Sequence, residues 1–205
     1  MTIRLHRGDL PDLSRYRSGA VAVDTETMGL DPHRDRLCVV QLSPGDGSAD
    51  VVQIPPGDAG APNLTKLLTD GSILKIFHFA RFDIGILQQA LGVMPGPIYC
   101  TKIASRLART YTDKHGLKDL VREVLGIDLS KQQQSSDWGA DALSDAQVAY
   151  AASDVLHLHA LKEKLDAMLA LEGRTDIAAA CFRFLPDRAR LDLAGWAAED
   201  IFAHS

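Results

Sequence analysis

Val21-Ala22-Val23-Asp24-Thr25-Glu26-Thr27-Met28-Gly29-Leu30 is a short apolar run that ends in two carboxylates. Val21 and Val23 are β-branched and predict a buried strand. Alternate residues of a strand share a face, so Asp24 and Glu26 point the same way at the strand's end. Two like charges placed there repel, and withdrawal from water raises the cost. A strand that simply runs into a polar turn would read the same from these residues alone. The other reading is half of a metal site, because hard cations such as Mg²⁺ take oxygen ligands and offset the repulsion. That reading requires further carboxylates along the chain.

Length and charge narrow the function classes. The 205 residues are expected to form one domain, 1–205, around one sizeable core. The start, Met1 to Arg7, lacks the apolar run of a signal peptide. No stretch approaches the roughly 18 uninterrupted apolar residues of a membrane span. Cys38, Cys100 and Cys181 show no metal-type spacing and read as reduced thiols of a cytoplasmic protein. With 22 Lys and Arg against 27 Asp and Glu, the net charge of −5 argues against a long electropositive groove for duplex or long RNA. A short nucleotide held by metals and a few local cations stays compatible with it.

Outward from the first strand, Leu37 to Leu42 and Ala49 to Ile54 predict two more strands in an antiparallel meander. Residues 1–19 are polar and predict little regular structure. Asn63 is expected to open a short helix to about Leu68. Ile73 to Phe77 reads as a fourth strand, and residues 80–91 carry apolar side chains at helical spacing. A short strand at Ile98 to Thr101 and helices over 102–109 and 116–125 follow, the last stopped by Gly126. Residues 128–142 are polar with few periodic signals. Ser144-Asp145-Ala146-Gln147 fits a capping box and predicts the start of the longest helix, running to about Leu171. A last helix is expected over about Thr175 to Phe184. The tail keeps Leu191, Leu193, Trp196, Ile201 and Phe202, so it should pack on something. The element order implies an α/β fold, a mixed sheet of five to six strands flanked by helices.

More carboxylates do arrive. Asp83 falls in the first turn of the 80–91 helix, where interaction with the helix dipole is already a sufficient reason for it. Tyr150 and Asp154 lie one turn apart on one face of a mostly apolar helix. Alone, they read equally well as a core tyrosine and its hydrogen-bond partner. The ordered set is more specific: Asp-x-Glu on a strand, Asp at a later strand-to-helix passage, then Tyr-x-x-x-Asp on a helix. It resembles the DEDDy branch of the 3′–5′ exonucleases, the ribonuclease D-like proteins. Phe77-His78-Phe79-Ala80-Arg81-Phe82-Asp83, Lys131 before Ser136-Asp137-Trp138, and Gln147-x-x-Tyr150-Ala-Ala-Ser-Asp154 extend the resemblance over about residues 20–165. The length, the Lys-Gln-Gln-Gln-Ser-Ser-Asp-Trp stretch and the ending Asp-Ile-Phe-Ala-His-Ser most resemble the nanoRNase C oligoribonucleases of α-proteobacteria.

The resemblance implies an RNase H-like, DnaQ-like exonuclease fold, with a catalytic core at about 20–165 and a helix and tail at 172–205. It implies two divalent cations, Mg²⁺ or Mn²⁺, held by Asp24, Glu26, Asp83 and Asp154. Tyr150 would orient the attacking water or take its proton. The substrate would be short single-stranded RNA, dinucleotides included, shortened from the 3′ end to 5′-mononucleotides. Leu30 stands where related enzymes wedge an apolar side chain between bases, or is a turn leucine over the core. His78 is a phosphate contact or a structural histidine. Gln147 orients the Tyr150 hydroxyl or serves the cap. Lys131, Ser136 and Trp138 hold the scissile region, unless Trp138 anchors its loop. The resemblance also implies a ring-like homo-octamer. A broader exonuclease on longer RNA or DNA, and a non-catalytic nucleic-acid-binding module, are the alternative readings.

Overall fold

The expected first strand is β2 (Ala20–Thr27), and it lies inside the sheet. It pairs antiparallel with β3 (Leu37–Ser43) and parallel with β5 (Leu74–Phe77). β4 (Ser48–Gln53) continues the meander beside β3, and β6 (Ile98–Cys100) extends the sheet beyond β5. This arrangement comes from a computed structural model that describes residues 2–17, 19–57, 60–130, 132–133 and 135–204.

Residues 2–7, expected to lack regular structure, form a strand instead. β1 (Thr2–Arg7) pairs parallel with β4, giving a six-stranded mixed sheet of order β1-β4-β3-β2-β5-β6. Its polar and apolar side chains alternate, but of the apolar ones only Ile3 packs against the core, while Leu5 stays 48% exposed. Polar residues masked the signal, and Asp50 takes up two of them: His6 Nε2 lies 2.9 Å and Arg4 Nη1 3.7 Å from its carboxylate. The Tyr16 hydroxyl donates to the same group at 2.6 Å.

The two faces of β2 meet different helices. Val21 and Val23 pack with α1 (Pro62–Thr69), α2 (Ala80–Leu91) and the second half of α7 (Thr175–Leu191). Ala22 packs with α3 (Thr101–Ala108), α4 (Leu117–Leu125), α5 (Asp145–Leu156) and α6 (Leu158–Leu171). By strand alternation Asp24 and Glu26 belong to the α5 side, and Thr25 to the α2 side.

Three expectations about helices need correction. The expected helix from Ser144 to Leu171 is two helices, broken at His157 (φ −106°, ψ −3°) with neither Gly nor Pro to announce it. Across the break Leu158 and Leu161 are fully buried and His159 Nε2 comes within 3.2 Å of Ala20 O, so tertiary contacts set the bend. α7 does not stop at Phe184 but runs through Pro186 to Leu191, which makes it the longest helix at 17 residues. An interior proline costs about 3 kcal/mol. Burial of Leu185 and Ala189 on either side offsets that cost. Asn63 does not open α1; it lies in the first turn, after Ala61 and Pro62. The cap comes from far away in sequence: Asp9 accepts from the Asn63 and Leu64 backbone N–H groups, both at 2.8 Å.

Beyond α7, Asp192–Trp196 forms a π-helical turn with Gly195 at φ 106°, a value that favours glycine. The tail is only partly covered within the chain, since Phe202 stays 75% exposed although its ring meets Phe184 edge-on at 5.9 Å.

Asp9→Ala removes the distant cap while leaving α1's buried leucines intact. Loss of an N-cap costs about 1 kcal/mol, up to about 2. For a chain of this size that lowers Tm by about 2–8 °C, and thermal unfolding against the parent checks it.

Candidate active site

The cluster begins with strand geometry. Asp24 and Glu26 leave the end of β2 on one face, and a register shift after Glu26 marks where the ladder with β3 becomes irregular. α5 crosses that face and delivers Asp154, with Tyr150 one turn before it. One carboxylate oxygen each from Asp24, Glu26 and Asp154 lies within 4.8 Å of the others. Among the described residues no histidine or cysteine joins this group. Asp83 lies outside this 4.8 Å trio, although its charge acts on both Asp24 and Glu26. It is buried on α2, on the other side of the strand, and accepts from the Thr25 hydroxyl at 2.7 Å. The alternation of β2 explains this: the residue facing α2 is Thr25, between the two acids.

Burial dominates the electrostatics. Loss of water raises Glu26 to about 8, with Asp154 and Asp83 adding to the rise. Burial also raises Asp83 and Asp154 each to about 7. Asp24 is held well above the usual carboxylate range, first by burial and then by the charges of Asp83, Asp154 and Glu26. The Tyr150 phenol, pushed up by burial and by the neighbouring Asp154, Glu26 and Asp24, sits beside Asp154. The donor set is all oxygen and all anionic. That suits a hard divalent cation, which offsets the repulsion that the fold imposes.

The acids open on a cavity of about 340 Å³, lined also by Tyr150, His78, Phe79, Lys102 and Lys118. His78 is therefore at the site, but burial pushes it down to about 3, with the Lys102 charge acting in the same direction. It is a neutral imidazole whose Nδ1 lies 2.9 Å from the Thr101 hydroxyl oxygen. Leu30 is 83% exposed and borders a neighbouring cleft rather than this cavity. Ser136 donates to Gln133 Oε1 at 2.6 Å, away from the cavity lining. Trp138 is buried, its ring centroid 6.1 Å from that of Tyr150, so it packs the tyrosine from behind. The Gln147 side chain is committed twice. Its Oε1 accepts from the Ser144 backbone N–H at 3.0 Å, and its Nε2 donates to Asp137 O at 3.0 Å. Lys131 lies outside the described residues.

Phe79, Lys102 and Lys118 escaped the sequence reading. Phe79 has φ 66°, in the left-handed region, and Lys102 Nζ stands 4.2 Å from its ring centroid. Lys102 and Lys118 begin α3 and α4, and only the packing of those helices brings two early-turn lysines to one cavity.

A mixed α/β sheet carrying clustered acids at the end of an inner strand defines the DnaQ-like exonuclease fold. The chain belongs to the 3′–5′ exonuclease family, whose pattern it matches over residues 12–170. Enzymes of that family hydrolyse phosphodiester bonds with divalent metal ions. The structure of Brucella melitensis NrnC with bound Mg²⁺ is similar throughout, with TM-score 0.97, 63% identity and 100% of both chains covered. The structure of Brucella melitensis NrnC bound to pGG matches equally, at 64% identity, TM-score 0.97 and 100% of both chains. Ribonuclease D of Gluconacetobacter diazotrophicus is 37% identical over 173 residues, 84% of this chain and 44% of the relative. The chain thus spans less than half the length of the curated ribonuclease D relatives it matches.

If the acids are electrostatically strained, neutralising one should stabilise the metal-free protein. Asp24→Asn is expected to raise Tm in chelator at neutral pH, by about 2–4 °C for each kcal/mol of repulsion relieved. Added Mg²⁺ should then raise the parent's Tm and leave the variant's nearly unchanged. An Asp24→Asn protein that melts below the parent in chelator would show that the cluster is not under strain.

Proposed function

We propose that this chain is a metal-dependent 3′–5′ exoribonuclease that degrades short oligoribonucleotides, dinucleotides included, to 5′-mononucleotides. The observation that carries this reading is the trio of carboxylate oxygens within 4.8 Å, with Tyr150 beside Asp154. The likeness to a protein whose structures hold Mg²⁺ and pGG, over the full length of both chains, supports the substrate class.

Asp24, Glu26 and Asp154, joined by Asp83 if it turns from Thr25, would hold two divalent ions, Mg²⁺ or Mn²⁺. Such ions lower the pKa of a water and stabilise charge on a leaving oxygen. The chain's own groups do the rest. Tyr150 orients the attacking water at the scissile phosphate from a helix face braced by Trp138. Lys102 and Lys118 supply positive charge to the substrate's phosphates, and neutral His78 offers a hydrogen bond without charge. Gln147, with both ends of its amide engaged, acts by fixing the start of α5 and the loop at Asp137. Trp138 and Ser136 likewise act through the loop they anchor, and Lys131 is retained as a further substrate contact. Leu30 contacts a base.

We further infer one domain over 1–205, a cytoplasmic location and a homo-octamer. Among the described residues no helix is long and apolar enough to cross a membrane. The exposed Trp196, Ile201 and Phe202 support an assembly, because apolar surface of this kind marks interaction sites. Light scattering at the mass of one chain would exclude the octamer.

The second reading, an exonuclease acting equally on longer RNA or DNA, uses the same acids and is separated by substrate length. Long strands gain affinity from many phosphate–cation contacts. A chain of net charge −5 offers few. RNAs of two to five nucleotides are therefore expected to compete well, per 3′ end, with twenty-mers in Mg²⁺; a steep rise of kcat/KM with length would favour the second reading. Activity is expected to vanish in EDTA and return with Mg²⁺ or Mn²⁺. Tyr150→Phe should lower kcat about 10²–10⁴-fold, the usual worth of a positioned acid–base group. A turnover within twofold of the parent at saturating substrate and metal would remove Tyr150 from the chemistry.

A further inference from the structure

Gln41 is the sole polar residue of the run Leu37 to Leu42. It stands on β3 directly opposite Asp24 on β2, and directly opposed residues of an antiparallel pair share a face. It is fully buried in the layer beneath α5. Its neighbours there are apolar: Val39 on its own strand, Val51 opposite it on β4, and Ala151, Ala152 and Val155 of α5, all fully buried. Stability gives no reason for an amide in that layer. Its Oε1 is buried and finds no partner among the described residues, and a buried unpaired carbonyl oxygen destabilises a fold. Its other end reaches the acids, where Nε2 donates to Asp24 Oδ2 at 3.4 Å.

Resting on the exoribonuclease reading and its divalent ions, we propose that Gln41 is a positioning residue of the reaction, fixing the orientation in which Asp24 receives a metal ion. Three acids of the site have a neutral partner of this kind. Asp83 accepts from the Thr25 hydroxyl at 2.7 Å, Asp154 from the Tyr150 phenol, and Asp24 from the Gln41 amide. A lysine or arginine in the same place would cancel the charge that a cation needs and would compete with it. A neutral donor fixes the carboxylate and leaves its charge intact. Groups behind a metal ligand act in this way, and the loss of one lowers metal affinity about 10–100-fold. At 3.4 Å the Gln41 bond is long, as contacts of catalytic groups often are before the reacting complex forms. The unpaired oxygen is the cost of having a donor at this point of the layer, since any amide that offers its N–H groups to Asp24 turns its oxygen toward the core.

Gln41→Met keeps the length and approximate volume of the side chain and removes the amide. Mn²⁺ binding to the substrate-free protein is followed by the EPR signal of the free ion, and Tm is measured in chelator. Mn²⁺ affinity should fall about tenfold or more, while Tm in chelator stays within about 3 °C of the parent's or rises above it. Gln41→Leu should give the same pair of changes. With a ribodinucleotide, the Mg²⁺ concentration for half-maximal turnover should rise by the same factor. Ser43→Ala, two residues along on the same face, is the structural control. The Ser43 hydroxyl donates to Ser48 O at 2.7 Å, so its loss should lower Tm and leave Mn²⁺ affinity unchanged. A Gln41→Met protein that binds Mn²⁺ as tightly as the parent overturns the proposal. So does one whose affinity falls together with a larger loss of Tm, the mark of a structural brace, and so does equal weakening by Ser43→Ala. If the parent binds Mn²⁺ and Gln41→Met binds it about tenfold more weakly, but the parent leaves RNA uncut, the exoribonuclease reading fails and the role of Gln41 stands. A parent that binds no Mn²⁺ overturns both.

Discussion

Repulsion among Asp24, Glu26 and Asp154 is the constraint on which the rest of the structure depends. Charges on a loop would drift apart at little cost. Here two of them stand on a strand laddered to β3 at the acids themselves and anchored to β5 just before them, and the third on a helix packed over that strand. Neither element can yield without breaking its ladder or exposing the core beneath α5, where Ala151, Ala152 and Val155 are fully buried. The hydrophobic core therefore holds the acids together against their charge, and a hard cation relieves the resulting strain.

The same face logic places the remaining groups. α2 covers the opposite side of β2, so Asp83 meets Thr25 before it meets the other acids. α5 presents Tyr150 with its ring backed by Trp138, which converts a solvent-facing phenol into a fixed one. The lysines depend on a more distant brace. Arg109, 1% exposed, pairs with Glu123 and donates to Lys114 O at 3.1 Å and to the Ser105 hydroxyl at 3.1 Å. These contacts pin residues 109–116, the segment that leads into α4 and thus to Lys118. A buried guanidinium is costly unless its donors are met, and here α3, α4 and the loop between them meet them together, through Ser105, Glu123 and Lys114 O.

Phe79 lines both the cavity of the acids and the cleft that Leu30 borders. A non-glycine residue at φ 66° costs about 1–3 kcal/mol and survives only where its surroundings dictate it. On one side β5 ends at Phe77 and His78 is fixed by Thr101; on the other α2 begins at once with Ala80 fully buried. The chain must turn sharply between them, and the turn throws the ring outward, where Lys102 meets it.

Much was legible without coordinates. The alternation of Val21, Val23, Asp24 and Glu26, the Ser144–Gln147 cap, the spacing of Tyr150 and Asp154 and the stop at Gly126 are local signals, and local backbone geometry answers to them. From these the chain determined its α/β class, the meander and most element positions; the acids were joined only by a resemblance to the ribonuclease D-like exonucleases, and of the four so joined Asp24, Glu26 and Asp154 lie together while Asp83 bonds Thr25. What it did not determine by itself rests on contacts between residues far apart in sequence. β1 is a strand because β4 offers it an edge, α7 passes Pro186 because the core rewards Leu185 and Ala189, and the helix after Ser144 breaks at His157 because α6 must pack elsewhere. Asp9 capping α1, Asp83 turning to Thr25, Lys102 and Lys118 meeting in one cavity, and Arg81 pairing with Asp192 of the tail have the same origin. Such pairings follow from the packing of whole elements, and only the tertiary structure decides them, because no local periodicity encodes which distant group will satisfy a buried charge or an open backbone amide.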